Sequence, residues 1–111
     1  MFVDTPGSST PETVQLRALL AANTTELRAL LEKYGASNPL LFGSVARGDA
    51  NARSDIDILV EMNPEDGNLL MRASGLLEET QALLGSDIDI FPLQLLKSNI
   101  SQQAINEAVP L

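Results

Sequence analysis

Two aspartates, Asp55 and Asp57, follow a Gly43-Ser44 pair after ten intervening residues. In a β-strand, residues i and i+2 point to the same side, with their Cα atoms about 6–7 Å apart. The two carboxylates would then project from one face and repel each other by roughly 3 kcal/mol at an effective dielectric of about 20. Divalent cations between them would reverse the sign of this interaction, and a pair of Mg²⁺ ions commonly serves in-line displacement at phosphorus. The spacing therefore predicts a carboxylate site for divalent metal.

A phosphate must also be held near such metals, and residues 43–48 have suitable types. Gly43 permits a sharp turn and a close approach of the backbone. Ser44 supplies a hydroxyl, followed by backbone N–H groups at a predicted helix start; the simpler alternative is a plain helix cap. Arg47 is the nearest cation, suited to a phosphate, to orienting a carboxylate or to a structural salt bridge. Gly48 is predicted to close the loop.

A third carboxylate is expected on a neighbouring strand, to complete the metal site and help deprotonate an attacking hydroxyl. Asp87 and Asp89 both qualify, because alternation puts them on one face of the strand. The chain has no histidine, so we expect a metal-bound carboxylate to assist deprotonation. The pentapeptide Ser-Asp-Ile-Asp-Ile occurs at 54–58 and again at 86–90 without shared flanks, which we interpret as two separate strands rather than a duplication.

Three short strands are predicted to position these groups. An apolar run over 39–42 enters the Gly43 turn, and residues 55–61 alternate with Ile56, Ile58 and Val60 on the core side. Residues 87–91 alternate in the same way. The simpler interpretation of both aspartate pairs is a solvated strand face.

Helices are predicted on either side of these strands. Two span about 10–22 and 24–34, with Ser9 and Asn23 as N-caps. Leucine pairs at 69/70, 76/77 and 83/84 predict a helix with a buried face, ended by Gly85. A final amphipathic helix would start at Pro92. We therefore predict a loose tail over 1–9 and one α/β domain over 10–111, with a three-stranded sheet and helices packed against it.

The composition of the chain excludes several classes of function and of metal site. The 111 residues suit a single core, and the net charge of -8 argues against a free-standing nucleic-acid binder. The absence of cysteine and histidine excludes thiolate and imidazole metal sites, so any metal must be a hard ion held by carboxylates. No apolar run approaches the roughly 18 residues of a membrane span, and residues 1–10 lack the features of a signal peptide. The expected location is the cytoplasm.

The motifs described above are similar to those of the nucleotidyltransferase superfamily, most closely its minimal nucleotidyltransferase branch. The resemblance lies in Leu41–Gly48 and Ser54–Val60 and extends over about 38–111. It implies a nucleotidyltransferase fold, with a small three-stranded mixed sheet and helices packed against it. It also implies transfer of a nucleotide from ATP with two Mg²⁺ ions.

The resemblance also implies roles for individual residues. The family's third acid falls on Asp89, when the chain is aligned on the glycine that ends the preceding helix, whereas Asp87 stands where the family usually has a non-acidic residue. Two sets of residues follow: catalytic and metal-binding Asp55, Asp57 and Asp89, and nucleotide-binding Gly43, Ser44 and Arg47.

Small members of this branch are typically antitoxins encoded beside an RNase toxin with a higher eukaryotes and prokaryotes nucleotide-binding (HEPN) domain. They inactivate the toxin by attaching AMP to a tyrosine. The resemblance therefore implies a HEPN toxin as partner in a hetero-oligomer, with no direct contact to nucleic acid or membrane. Two alternatives stay open: an antitoxin that acts by binding alone, and a nucleotidyltransferase for a small molecule such as an aminoglycoside.

Overall fold

The computed structural model of the protein describes residues 10–93 and 108–111. Within them, none of the helices combines the length and apolarity needed to cross a bilayer. The predicted tail over 1–9 and most of the predicted final helix, with Leu95, Leu96, Ile100 and Ile105, lie outside the described residues. The elements in chain order are α1 Pro11–Ala22, α2 Thr24–Lys33, β1 Ala36–Phe42, α3 Gly43–Arg47, β2 Ile56–Met62, a 3-10 turn Pro64–Asp66, α4 Leu69–Leu84, β3 Ile88–Pro92 and β4 Val109–Pro110.

The strands form a mixed sheet in the order β3-β2-β1-β4. β2 and β3 run parallel, whereas β1 runs antiparallel to both β2 and β4. The predicted α/β class is confirmed, but the predicted number of three strands was wrong. The additional strand, β4, pairs with Leu40 and Leu41 of β1 over two residues only. Two residues are too few for alternation to show in a sequence.

The core lies between one face of this sheet and the helices. Ile56, Ile58 and Ile88 are at most 2% exposed, and they pack with Leu31 of α2 and Leu76 of α4. Burying a side chain of this size stabilises the fold by roughly 1.5–3 kcal/mol. The predicted alternation is confirmed, since the isoleucines of β2 and β3 face inward. The aspartates between them therefore lie on the opposite face.

The long helix α4 buries its leucines unequally. Leu76 and Leu84 are buried, in agreement with the predicted apolar face. Leu70, from the first of the predicted pairs, is 64% exposed, and its neighbour Met71 is 72% exposed. An exposed apolar pair thus remains at the start of α4.

The helix starts differ from the prediction in their caps. Thr10, not Ser9, caps α1, because its hydroxyl accepts a hydrogen bond from the Thr13 N–H at 3.2 Å. Asn23 precedes α2 as predicted, but its side chain makes no capping bond and instead donates to the Leu19 carbonyl at 2.9 Å. Polar residues mark a helix start in a sequence, while the cap itself depends on the local backbone.

Candidate active site

Asp57 and Asp89 lie side by side on the face of the sheet opposite the core. They are direct partners in the parallel register of β2 and β3, and strands in a sheet are about 4.8 Å apart. Asp55 precedes β2 by one residue, and all three side chains are half-buried. Like charges placed directly opposite each other destabilise a sheet, so this arrangement is costly without a compensating cation.

The surroundings of Asp57 raise its pKa from the usual 3.8 to about 6. Burial is the largest cause, because it removes water from the charged carboxylate. The negative charges of Asp89 and Asp55 raise the pKa further, and the positive charge of Arg47 lowers it. Four predicted site residues thus lie within electrostatic reach of one another. A strongly perturbed carboxylate in such a cluster is typical of functional sites.

Gly43 brings bare backbone against this cluster. Its φ of +76° lies in the left-handed region, and a Cβ built on it would stand 2.5 Å from the Asp57 Oδ2 atom. Any side chain here would push the carboxylate aside, so the position suits glycine for two independent reasons. The predicted sharp turn is confirmed, and it places the start of α3 beside Asp57.

Ser44 and Arg47 lie on α3, the five-residue helix that begins at Gly43. The carbonyl of Ser44 accepts hydrogen bonds from the N–H groups of Gly48 and Asp49, both at 3.0 Å. Gly48 ends the helix with a φ of +92°, as predicted for the residue that closes the loop. Arg47 contacts Asp49 at 3.3 Å between Nε and Oδ2, with both side chains largely exposed. Exposed pairs of this kind contribute little to stability.

Asp87, the other candidate for the third acid, stands apart from this cluster. Its side chain is exposed, and it is not among the groups that shift the pKa of Asp57. Its carbonyl oxygen accepts a hydrogen bond from the Ile56 N–H at 3.0 Å, which fixes the register of the two strands. The structure therefore brings Asp89, not Asp87, to Asp57.

The donor atoms of the cluster are carboxylate oxygens, the ligands that Mg²⁺ prefers. Concentrated negative charge and a raised pKa at Asp57 fit a cation-binding role for Asp55, Asp57 and Asp89. In residues 10–93 and 108–111, however, no three acidic side chains already stand at the spacing of a finished metal site. The residue types fit the ion, and the ligand set itself stays a prediction.

Contacts from α1 to this region were missed from the sequence. Arg17 is only 7% exposed, and its guanidinium donates to the carbonyls of Val45 at 3.0 Å and Ala46 at 2.9 Å. Thr13 is also buried, and its hydroxyl accepts from the Ala50 N–H at 3.0 Å. One signal was present: Thr13, Arg17 and Leu20 follow the i, i+4, i+7 spacing of a single helix face. Polar residues on such a face indicate polar partners.

Comparison with known proteins agrees with this geometry. The model of the nucleotidyltransferase domain family matches residues 27–111. The protein adenylyltransferase MntA of Thermococcus cleftensis is 36% identical over 95 residues, which cover 86% of this chain and 91% of the relative. A provisionally named protein adenylyltransferase of Methanocaldococcus jannaschii is 34% identical over 80 residues, 72% of this chain and 84% of the relative.

A solved structure supports the same assignment. It is described provisionally as a minimal nucleotidyltransferase, and it superposes with a TM-score of 0.70 at 35% sequence identity. The match covers 83% of this chain and 92% of the solved one. Since the family model matches well over half of the chain and the relatives are aligned over most of their length, this protein belongs to the nucleotidyltransferase domain family and is an enzyme of that class.

Proposed function

We propose that the chain transfers AMP from ATP to a tyrosine hydroxyl of a partner protein, and that this partner is a HEPN RNase toxin in the cytoplasm. One observation carries the proposal: Asp57 and Asp89 are paired in register while the bare backbone of Gly43 lies against the Asp57 carboxylate. Two relatives whose names specify protein adenylylation favour a protein acceptor over a small molecule.

The proposed reaction is an in-line displacement at the α-phosphorus of ATP. The tyrosine oxygen forms a new bond to that phosphorus, and the bond from the phosphorus to the oxygen leading to the β-phosphate breaks. Pyrophosphate leaves with that oxygen, and the hydroxyl proton passes to a carboxylate of the cluster. Positioning and electrostatic stabilisation supply most of the rate in such transfers.

Asp55, Asp57 and Asp89 would hold two Mg²⁺ ions. When bound, Mg²⁺ offsets the charge of the triphosphate and favours the ionised form of the attacking hydroxyl. The Gly43-Ser44 turn would contact the phosphates through backbone N–H groups and the Ser44 hydroxyl. Arg47 is close enough to the cluster to lower the pKa of Asp57, so we assign it to a phosphate oxygen.

Charge supports a protein partner that handles RNA. The net charge of -8 suits association with a basic surface, because complementary charge speeds the encounter of two proteins. The charge of the chain therefore favours transfer onto a protein.

The direct test follows labelled nucleotide onto the product of the neighbouring gene. With Mg²⁺, ATP labelled at the α-phosphate is expected to label a tyrosine of that protein, whereas ATP labelled at the γ-phosphate is expected to leave it unlabelled. Asp57→Ala is expected to abolish labelling. Asp87→Asn, a change at an exposed aspartate outside the cluster, serves as the matched control and is expected to retain it. Nucleotide binding without α-label on the partner would reject protein adenylylation.

Neutralisation by binding alone is the second candidate, favoured by the exposed pair Leu70 and Met71. The two candidates differ in cells that carry the toxin. If Asp57→Ala still neutralises the toxin while Leu70→Ser does not, binding is sufficient and transfer is dispensable. Transfer to a small molecule by the purified chain alone would instead indicate the third function.

A further inference from the structure

We propose that Arg17 of α1 is a positioning residue, which fixes α3 and thereby the Gly43-Ser44 turn beside the carboxylates. Its consequence for nucleotide binding rests on the proposed function. The family model begins at residue 27, so Arg17 lies on a helix that precedes the matched domain.

The guanidinium of Arg17 is aimed at the end of α3. Its Nε donates to the Val45 carbonyl at 3.0 Å, and its Nη2 donates to the Ala46 carbonyl at 2.9 Å. A helix leaves its last four carbonyls without partners inside the helix. Because α3 has only five residues, most of its carbonyls need partners from elsewhere. Arg17 supplies two of them and places a positive charge at the negative end of the helix.

The N-cap residue Thr10 and the first turn of α1 bind the residues that follow α3. The Thr10 hydroxyl donates to the Ala50 carbonyl at 2.5 Å, and the Thr10 N–H donates to the Gly48 carbonyl at 2.9 Å. Thr13 accepts from the Ala50 N–H at 3.0 Å. The segment from Val45 to Ala50 is therefore held at both ends by α1 and its N-cap residue Thr10.

Arginine is specifically suited to this position. A buried charge is costly unless it is hydrogen-bonded, and the rigid planar fork of a guanidinium reaches two adjacent carbonyls at once. Lysine would keep the charge but lose this fork. A methionine of similar length would keep the packing and leave both carbonyls unpaired.

Displacement of α3 would act directly on the candidate site. Gly43 begins this helix, and a Cβ on Gly43 would lie 2.5 Å from the Asp57 carboxylate. The turn is therefore packed so closely against the carboxylate that no further atom fits between them. A misplacement of about 1 Å in a binding site is enough to weaken function roughly 100-fold. Arg17 thus determines the geometry of the site without touching nucleotide.

The test compares Arg17→Met and Arg17→Lys with a matched control, Leu31→Ala. Leu31 is buried in the core from α2, so its truncation lowers stability but leaves the hydrogen bonds from Arg17 to Val45 and Ala46 in place. Two quantities are measured on the full chain: amide hydrogen exchange over residues 43–50 relative to α4, and the dissociation constant of MgATP by calorimetry.

We expect Arg17→Met to speed exchange over residues 43–50 and to weaken MgATP binding by roughly 10- to 100-fold. Arg17→Lys is expected to fall between this variant and the wild type. Leu31→Ala should leave MgATP affinity within about twofold. Unchanged exchange over 43–50, or a loss of affinity no greater than that of Leu31→Ala, would overturn the assignment.

The experiment also distinguishes failure of a variant to fold from failure of the proposed function. If Arg17→Met does not fold, Arg17→Lys decides by the same two measurements. If the wild type binds no MgATP, the proposed function fails, and hydrogen exchange still decides whether Arg17 orders α3.

Discussion

Replacing Asp57 with asparagine is expected to stabilise the metal-free protein at alkaline pH but not at acid pH. Neighbouring charges and burial raise the pKa of Asp57 from 3.8 to about 6. Because the folded-state pKa is raised, the folded protein favours the protonated carboxyl. That contribution is fully present below about pH 4 and is lost as the pH rises through 6. Asparagine keeps a neutral side chain of the same shape throughout.

The magnitude follows from the shift of about two units. At 1.36 kcal/mol per unit the upper bound is about 3 kcal/mol. Since the side chain is half-buried, we reduce this for solvent screening to about 1–2 kcal/mol. In a chelating buffer, the free energy of unfolding of Asp57→Asn is therefore expected to match the wild type at pH 4 and to exceed it by about 1–2 kcal/mol at pH 8.

Urea denaturation at both pH values measures this difference. Asp87→Asn is the matched control, because Asp87 is exposed and does not contribute to the raised pKa of Asp57. A direct readout is the carboxyl ¹³C titration of Asp57, which is expected near pH 6 and at a lower pH in Asp89→Asn. Equal stability of Asp57→Asn and wild type at pH 8, or the same gain at pH 4, would refute the charge cluster.

Two further predictions concern a glycine and a buried hydroxyl. Gly43→Ala is expected to lower the free energy of unfolding by about 1–2 kcal/mol, because alanine is strained at φ +76°. The variant is also expected to lose transfer activity, because its Cβ would displace the Asp57 carboxylate. Gly85 has a φ of +62°, and no atom of the described part of the chain lies within 4 Å of a Cβ built on it. Gly85→Ala should therefore show a similar loss of stability in urea melts and keep its activity; equal activity losses in the two variants would contradict the contact argument. The Thr80 hydroxyl is buried and has no hydrogen-bond partner among residues 10–93 and 108–111. Thr80→Val is therefore expected to leave the free energy of unfolding unchanged or to raise it by about 1 kcal/mol; a clear loss in thermal or urea unfolding would show that the hydroxyl is bonded.

The sequence predicted the features of the site that depend only on residues adjacent in the chain, namely the direction of Asp57 and the turn at Gly43. The alternation of Ile56 and Ile58 fixes which way Asp57 points, and the positive φ of Gly43 follows from a turn that only glycine tolerates well. Alternation alone leaves the choice between Asp87 and Asp89 open, because it puts both on one face. The family resemblance favoured Asp89, and the pairing of β2 with β3 places Asp89 opposite Asp57.

Long-range contacts to backbone atoms left little trace in the sequence. Arg17 donates to backbone carbonyls that lie 28 and 29 residues further along the chain. Because every residue has a backbone carbonyl, the residue types do not indicate which carbonyls Arg17 binds. The strand Val109–Pro110 was not predicted from the sequence for a similar reason. Its pairing with β1 depends on backbone hydrogen bonding rather than on a side-chain pattern.

The two copies of Ser-Asp-Ile-Asp-Ile lie beside each other in parallel, with Ile56 opposite Ile88 and Asp57 opposite Asp89. The repeat has a period of two, which is also the period at which side chains alternate between faces. Sliding β3 by one residue would turn its isoleucines to the outer surface, and the loss of their burial makes this register unfavourable. Sliding it by two would put Asp87 opposite Asp57 and Ile88 opposite Ile58, but it would put Ser86 opposite Ile56. Asp87 is thus a second acid two residues before Asp89, and a two-residue shift in register would exchange one for the other beside Asp57 at the expense of one isoleucine contact in the core.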